Sequence, residues 1–257
     1  MTDMSMDRPA PSLGVGTIIG DSFSIFFRKF PAVIVMALIP TVIGLVISAM
    51  LVGWSVTLGL TEVNTSNAGA AAASFFQTLI DQVVYAIATA LLVQLAYDAK
   101  LKRPLRMGQY ISRAFGSALP IAILGLAAGF LAVIAALALI IPGLWVYAVF
   151  SVMAPAVVIE GIGFRGLGRS AQLTKGYRWP ILGTLVLVGI ILVLISLAGG
   201  VIIAMIGTSS LFIGAGALAL LTAFFMGFGG IVIALIYARL REIKEGVSVD
   251  EIASVFD

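Results

Sequence analysis

Residues 161–166 of the chain read GIGFRG, the G-x-G-x-x-G spacing that lets a backbone wrap a dinucleotide pyrophosphate. That chemistry also needs a context: a strand entering the first glycine, a helix opening on the last, and an acid about 20 residues later for the ribose. Here the glycines follow the apolar stretch APAVVIE and precede ILGTLVLV, which contains no acid. The spacing is present without its setting, so no nucleotide and no cofactor of this kind is expected. The glycines are expected instead to let the chain turn sharply between two apolar segments.

Other residues could carry chemistry of different kinds. The chain contains no cysteine and no histidine, which removes thiolate metal sites, disulfides, Cys and His nucleophiles and the usual general base near neutral pH. What is left is carboxylate and polar. Asp81, Tyr85 and Thr89 are spaced i, i+4, i+8 and share one helical face, with Gln82 beside them and Gln94 further along. Polar groups inside an apolar helix are pointers to ion or proton pathways. The alternative is that Asp81 sits at headgroup depth, favoured there by the positive end of its helix, while Gln94 hydrogen-bonds between helices. Glu160 stands at the end of an apolar run with Arg165 and Arg169 just beyond it. It reads as a structural latch to one of these arginines or to another basic segment. No second acid lies near it to make an acid/base pair, so no catalytic residue and no metal site is expected, and the chain reads as non-enzymatic.

The elements that must position these residues follow from composition. Of 257 residues, 61% are hydrophobic and 11% charged, whereas a soluble domain has about 25% charged residues and cannot bury so much apolar surface. The expected class is an all-α integral membrane domain covering residues 1–257. A span needs about 20 apolar residues, and six are found, at 31–58, 75–97, 118–141, 144–160, 180–206 and 211–238. A helix running unbroken through 118–160 would be about 63 Å long, so a turn is expected at Pro142-Gly143. All 15 basic residues fall in the N-terminal segment, the connections 98–117 and 161–179, and the C-terminal tail; the other three connections contain none. Basic residues stay on the cytoplasmic side. The expected topology is multi-pass in a bacterial inner (cytoplasmic) membrane, with both termini cytoplasmic. The N-terminus lacks the basic start and apolar core of a cleavable signal, and residues 1–12 read as disordered.

Three basic stretches, at 13–30, 105–117 and 162–179, have an apolar stripe on one side and end near a proline. Such helices lie in the headgroup plane, and proline suits the first turn of the helix that follows. The unit of interfacial elbow, proline, outward span and inward span reads as a threefold pseudo-repeat. Arg28, Lys29, Lys102, Arg103, Arg106, Arg113, Arg165, Arg169, Lys175 and Arg178 are the expected contacts to anionic phospholipid headgroups. This charge asymmetry is what topology alone demands, so no nucleic acid partner is expected. Pro40 and Pro155 lie within spans, where freed carbonyls can line a path or simply kink a helix. Gly125-x-x-x-Gly129, Ser196-x-x-x-Gly200 and Ala223-x-x-x-Gly227 allow close helix approach. Asn64-Thr65-Ser66 fits a glycosylation sequon, which is discounted because a bacterial origin is expected. In the tail 239–257, Ser248-x-x-Glu251 forms a capping box.

One region resembles a known family. Pro155, Glu160-Gly161, Arg169-Ser170, Leu173-Thr174-Lys175-Gly176 and the entry Tyr177, Arg178, Trp179 are similar to the signature of the membrane domain attached to some glycerophosphoryl diester phosphodiesterases, shared with stand-alone six-span bacterial proteins. The likeness is sharpest over 150–190. It implies an inner-membrane domain whose own biochemical role is poorly defined, the family's phosphodiesterase activity residing in a separate soluble barrel. The sequence ends 19 residues after its last span, so no catalytic residue carries over. The expected function is to organise or accompany other membrane components, with anionic phospholipid and other integral membrane proteins as partners. The alternatives are a small transporter or lipid-handling protein, and an accessory subunit of a large membrane complex.

Overall fold

The computed structural model describes residues 11–58, 60–62, 67–207 and 211–246. The sequon, the tail capping box and residues 1–10 of the N-terminal segment lie outside them. The described residues form helices joined by short turns: α1 (Val15–Arg28), α2 (Phe30–Val52), α3 (Trp54–Thr57), α4 (Ala68–Lys100), α5 (Met107–Ala138), α6 (Ile140–Phe150), α7 (Met153–Glu160), α8 (Gly166–Thr174), α9 (Arg178–Gly207) and α10 (Leu211–Glu245). Six helical segments are long and apolar enough to cross a bilayer, the fourth being α6 and α7 taken together. This is a multi-pass membrane fold.

Helices α4 and α10 form its centre. Over half (56%) of the apolar window in each is buried, against 17% in α5 and 22% in α9. Lipid provides no hydrophobic push between helices, so close approach depends on small residues. A methyl group added at Gly44 would lie 2.9 Å from Val84, at Gly227 2.6 Å from Val33, and at Gly230 2.9 Å from Leu92. These glycines bring α2 and α4 against each other and against α10. Gly125 likewise admits the side-chain amide of Gln82, whereas Gly129 and Gly200 face open space. Phe26 of α1, fully buried, meets Phe224 and Phe228 of α10 edge-on. Part of the apolar stripe of α1 is therefore used on the protein itself, while Phe27, and Phe30 at the start of α2, stay exposed.

Several boundaries differ from those read in the sequence. The turn between the third and fourth spans is at Leu139, which is extended, and not at Pro142-Gly143. Pro142 lies in the first turn of α6, where its missing N–H has no intrahelical partner to lose. Gly143 then packs against Ala136 and the Ala132 carbonyl, closing the α5–α6 hairpin. The stretch 105–117 is not a helix of its own. It runs unbroken into α5, which carries Pro120 in its interior. By contrast α1 ends at Lys29 ahead of Pro31, and α8 ends in a turn at Gly176 ahead of Pro180. The three basic stretches are thus not three copies of one unit. Asp81 is also not near a helix end: α4 starts at Ala68 under an Asn67 cap, whose side chain accepts from the Ala70 N–H at 2.8 Å. The helix dipole acts only within the first turn, so it gives Asp81 nothing.

Candidate functional site: the junction of α7, α8 and α10

The site begins with a broken helix. Proline has no N–H and its ring clashes with the carbonyl four residues back, so Pro155 prevents α6 from continuing into α7. The chain turns at Ser151-Val152, and the carbonyl of Val149 is released from the helical ladder. Two hydroxyls of α8 face it: Ser170 donates at 2.8 Å, and Thr174, whose hydroxyl also reaches the Ser170 carbonyl at 2.9 Å, stands 3.2 Å away as a second donor. Both are fully buried. Ser170 and Thr174, four apart, occupy one face of α8, and the break in the fourth span is where that face docks. Removing one hydroxyl leaves the other as donor, so Ser170→Ala or Thr174→Val alone is expected to cost about 1 kcal/mol. The double variant, with a buried carbonyl unsatisfied, is expected to cost about 3 kcal/mol, more than the sum. Thermal unfolding in detergent reads the difference, and simple additivity would remove the shared role.

The three glycines of GIGFRG each have a structural reason here. Gly161 ends α7 at φ 67 and Gly163 follows at φ 55, both in the left-handed region that glycine enters without steric cost. Gly166 opens α8 so close to α7 that an added methyl would lie 2.4 Å from Val157 and 3.2 Å from Leu124 and Met153.

Below this turn Glu160 anchors a chain of polar contacts. Arg169 donates through Nε to both Glu160 oxygens at 2.9 and 2.8 Å, and the buried Tyr237 hydroxyl donates to Oε1 at 2.7 Å. The far side of the Arg169 guanidinium pairs with Glu245. Glu245 also accepts from Arg241 at 2.8 Å, and Arg241 lies over the Tyr237 ring at 5.8 Å. The contacts close into a ring through α7, α8 and α10. Glu160, and with it Glu245, makes Arg169 hold its proton more firmly than an ordinary guanidinium, against the opposing effect of burial. Lys244 donates to the Gln172 and Lys175 carbonyls at 2.8 and 2.7 Å, satisfying the open end of α8. Beyond it the Arg178 guanidinium lies over Trp145 at 5.7 Å, and Trp145 meets Trp179 edge-on at 4.9 Å. Of the two arginines proposed for Glu160 from the sequence, it is Arg169 that meets it. Tyr237, Arg241 and Glu245 were not singled out there, and Ser170 and Thr174 entered only as part of a family likeness. The i, i+4 hydroxyl pair and the i, i+4 pair of Arg241 with Glu245 left a local signal.

The polar residues of the spans are divided among three places. Ser48 of α2 donates to Asp81 at 3.0 Å. Tyr85 and Thr89 line a cavity of about 180 Å³ with Gln82, Tyr147 and Ser151. Gln94 is buried and donates to the Ala90 and Tyr110 carbonyls at 2.9 and 3.2 Å, tying α4 to α5. Asp81 and Gln94 are not part of the cavity lining, and neither are Pro40 and Pro155.

Of the basic residues proposed for headgroup contact, Arg28, Lys102, Arg106, Arg113, Arg165 and Lys175 are exposed, and Lys29, Arg103 and Arg178 half-buried. None of these nine has a carboxylate within ion-pair distance among the described residues; Arg169 alone is consumed internally. The arrangement offers hydrogen-bonded cohesion and a cationic surface. It shows no nucleophile held against a base among the described residues. No family model matches the chain, and neither a curated protein nor a solved structure was found similar to it.

Proposed function

We propose that this is a non-enzymatic multi-spanning inner-membrane protein that holds anionic phospholipid on a basic cytoplasmic face and organises or accompanies other integral membrane proteins. The observation that carries this reading is the contrast just described. The acids Asp21, Glu160, Glu242 and Glu245 are all engaged by cations of the chain, while nine basic residues in the connections remain without an acid among the described residues. A cation at the membrane surface gains about 1 kcal/mol from anionic lipid. The discrete helices α1 and α8 and the start of α5 would lie at the headgroup boundary.

The test is thermal unfolding of the full chain in mixed micelles. Phosphatidylglycerol is expected to raise the melting temperature by about 5 °C or more over phosphatidylcholine. Most of that gain should vanish in about 1 M salt, where the Debye length falls to about 3 Å. Equal melting in the two lipids would sink the reading. A small transporter or lipid-handling protein is the second reading, favoured by the cavity beside Tyr85 and Thr89. At about 180 Å³ it is smaller than the roughly 300–1,000 Å³ of small-molecule pockets, which places this reading second.

A further inference from the structure

A cavity of about 490 Å³ opens between the start of α1, the end of α4 and the last turns of α10, apart from the α7–α8–α10 junction. Its two acids are matched: Lys100 donates to Asp21 at 2.6 Å, and Arg239 to Glu242 at 2.7 Å. The other arm of Arg239 reaches the Ser12 carbonyl at 3.1 Å. The third cation of the lining, Lys102, has no acid partner among the described residues, so the lining carries one positive charge in excess.

Lys102 also occupies a backbone position that lysine disfavours. It follows the end of α4 at φ 55, its N–H donating to the Ala99 carbonyl at 3.4 Å and that of Arg103 to Asp98 at 2.9 Å. This is a Schellman motif, whose left-handed residue is usually glycine. The chain thus carries a strained lysine where glycine would fit better, and the cation it gains lines the cavity. Local rules broken in this way concentrate at functional positions. Across the cavity, Gly14 precedes α1 and Thr17 lies in its first turn, and the helix starts without a side-chain cap. The partial positive charge of that helix end adds to the excess. The volume lies within the range of ligand pockets, roughly 300–1,000 Å³, and leaves room for more than a bare phosphate.

We infer that this cavity binds a phosphate group, carried by the headgroup of an anionic phospholipid, between Lys102 and the start of α1. The inference rests on the proposed contact between the basic face and anionic lipid and assigns it one specific seat. The test uses the full chain in non-ionic detergent, with melting followed against phosphatidylglycerol, phosphatidylcholine and inorganic phosphate. The variants are Lys102→Gly and, outside the cavity, Arg113→Gln. Without lipid, Lys102→Gly is expected to melt at or above the temperature of the parent, because glycine suits the left-handed position. Its apparent affinity for phosphatidylglycerol is expected to fall at least about tenfold, the worth of a hydrogen bond to a charged group in a formed site, and that of Arg113→Gln by no more than about fivefold, the worth of one basic residue at an open headgroup surface. Equal losses in the two variants would overturn the seat and leave the general lipid reading standing. No preference for phosphatidylglycerol in the parent would overturn both. Stabilisation by inorganic phosphate that disappears in Lys102→Gly would uphold the phosphate site and assign it a soluble ligand.

Discussion

Glu160→Ala is expected to destabilise the fold by about 3 kcal/mol, read as a fall in melting temperature of roughly 6–12 °C. The change leaves the Arg169 Nε without either of its two acceptors and the hydroxyl of Tyr237 without its one. Tyr237 is fully buried, and the Glu160 and Arg169 side chains are only 17% and 25% exposed, so water replaces little of what is lost. The figure stands at the lower end for breaking a buried pair because Arg169 retains Glu245. Glu160→Gln keeps one oxygen as acceptor and is expected to lose about half as much. A double-mutant cycle with Arg169→Met separates the pair from its surroundings. A coupling of about 1–2 kcal/mol is expected; a double variant whose loss equals the sum of the singles would show that Glu160 acts through other groups.

Gly166→Ala is expected to cost about 2 kcal/mol, whereas Gly168→Ala, two residues along the same helix, is expected to stabilise by about 0.5 kcal/mol. Both exchanges recover the entropy that glycine loses in a helix. At Gly168 nothing lies within 4 Å of the added carbon, so only that gain remains. At Gly166 the carbon falls 2.4 Å from a methyl of Val157, and a valine in a helix has one strongly preferred rotamer and cannot swing aside. Helix α8 would have to move, yet Ser170 and Thr174 hold it to Val149, Arg169 to Glu160, and Lys244 its far end. Overpacking of this kind typically costs 1–3 kcal/mol. Melting curves of the two variants in the same detergent provide the comparison, and a Gly166→Ala protein as stable as its parent would contradict the close packing of α7 on α8.

The two residues also show how far local reading reaches. The sequence pointed to Glu160 as a latch and to Arg165 or Arg169 as its partner, because all three lie within ten residues at the edge of an apolar run. It could not point to Tyr237 or Glu245, 77 and 76 residues away from the groups they meet. The glycines of GIGFRG were legible as a turn, since an apolar segment on each side left no place for a phosphate cradle. That Gly166 serves close packing and not backbone freedom depends on where Val157 lies. Asp81, Tyr85 and Thr89 looked like one polar face on spacing alone, with Gln94 further along as a tie between helices. Their separation into a contact with Ser48, a small cavity and a tie to α5 follows from three different neighbouring helices. The basic residues were legible as a set, but not which of them an acid consumes.

What the sequence determined by itself is the all-helical class, six membrane-crossing segments and the gathering of every basic residue into alternate connections. These depend on composition over windows of about 20 residues, because the cost of placing polar backbone and charge in lipid is incurred segment by segment. Only the tertiary structure decided that the fourth span breaks at Ser151-Val152, ahead of Pro155, that the freed Val149 carbonyl is met by α8, and that Glu160, Arg169, Glu245, Arg241 and Tyr237 close one ring. Those contacts depend on which helix faces meet and at what distance. In lipid this is decided by small residues and hydrogen bonds on facing helices, which carry no period that a single segment reveals.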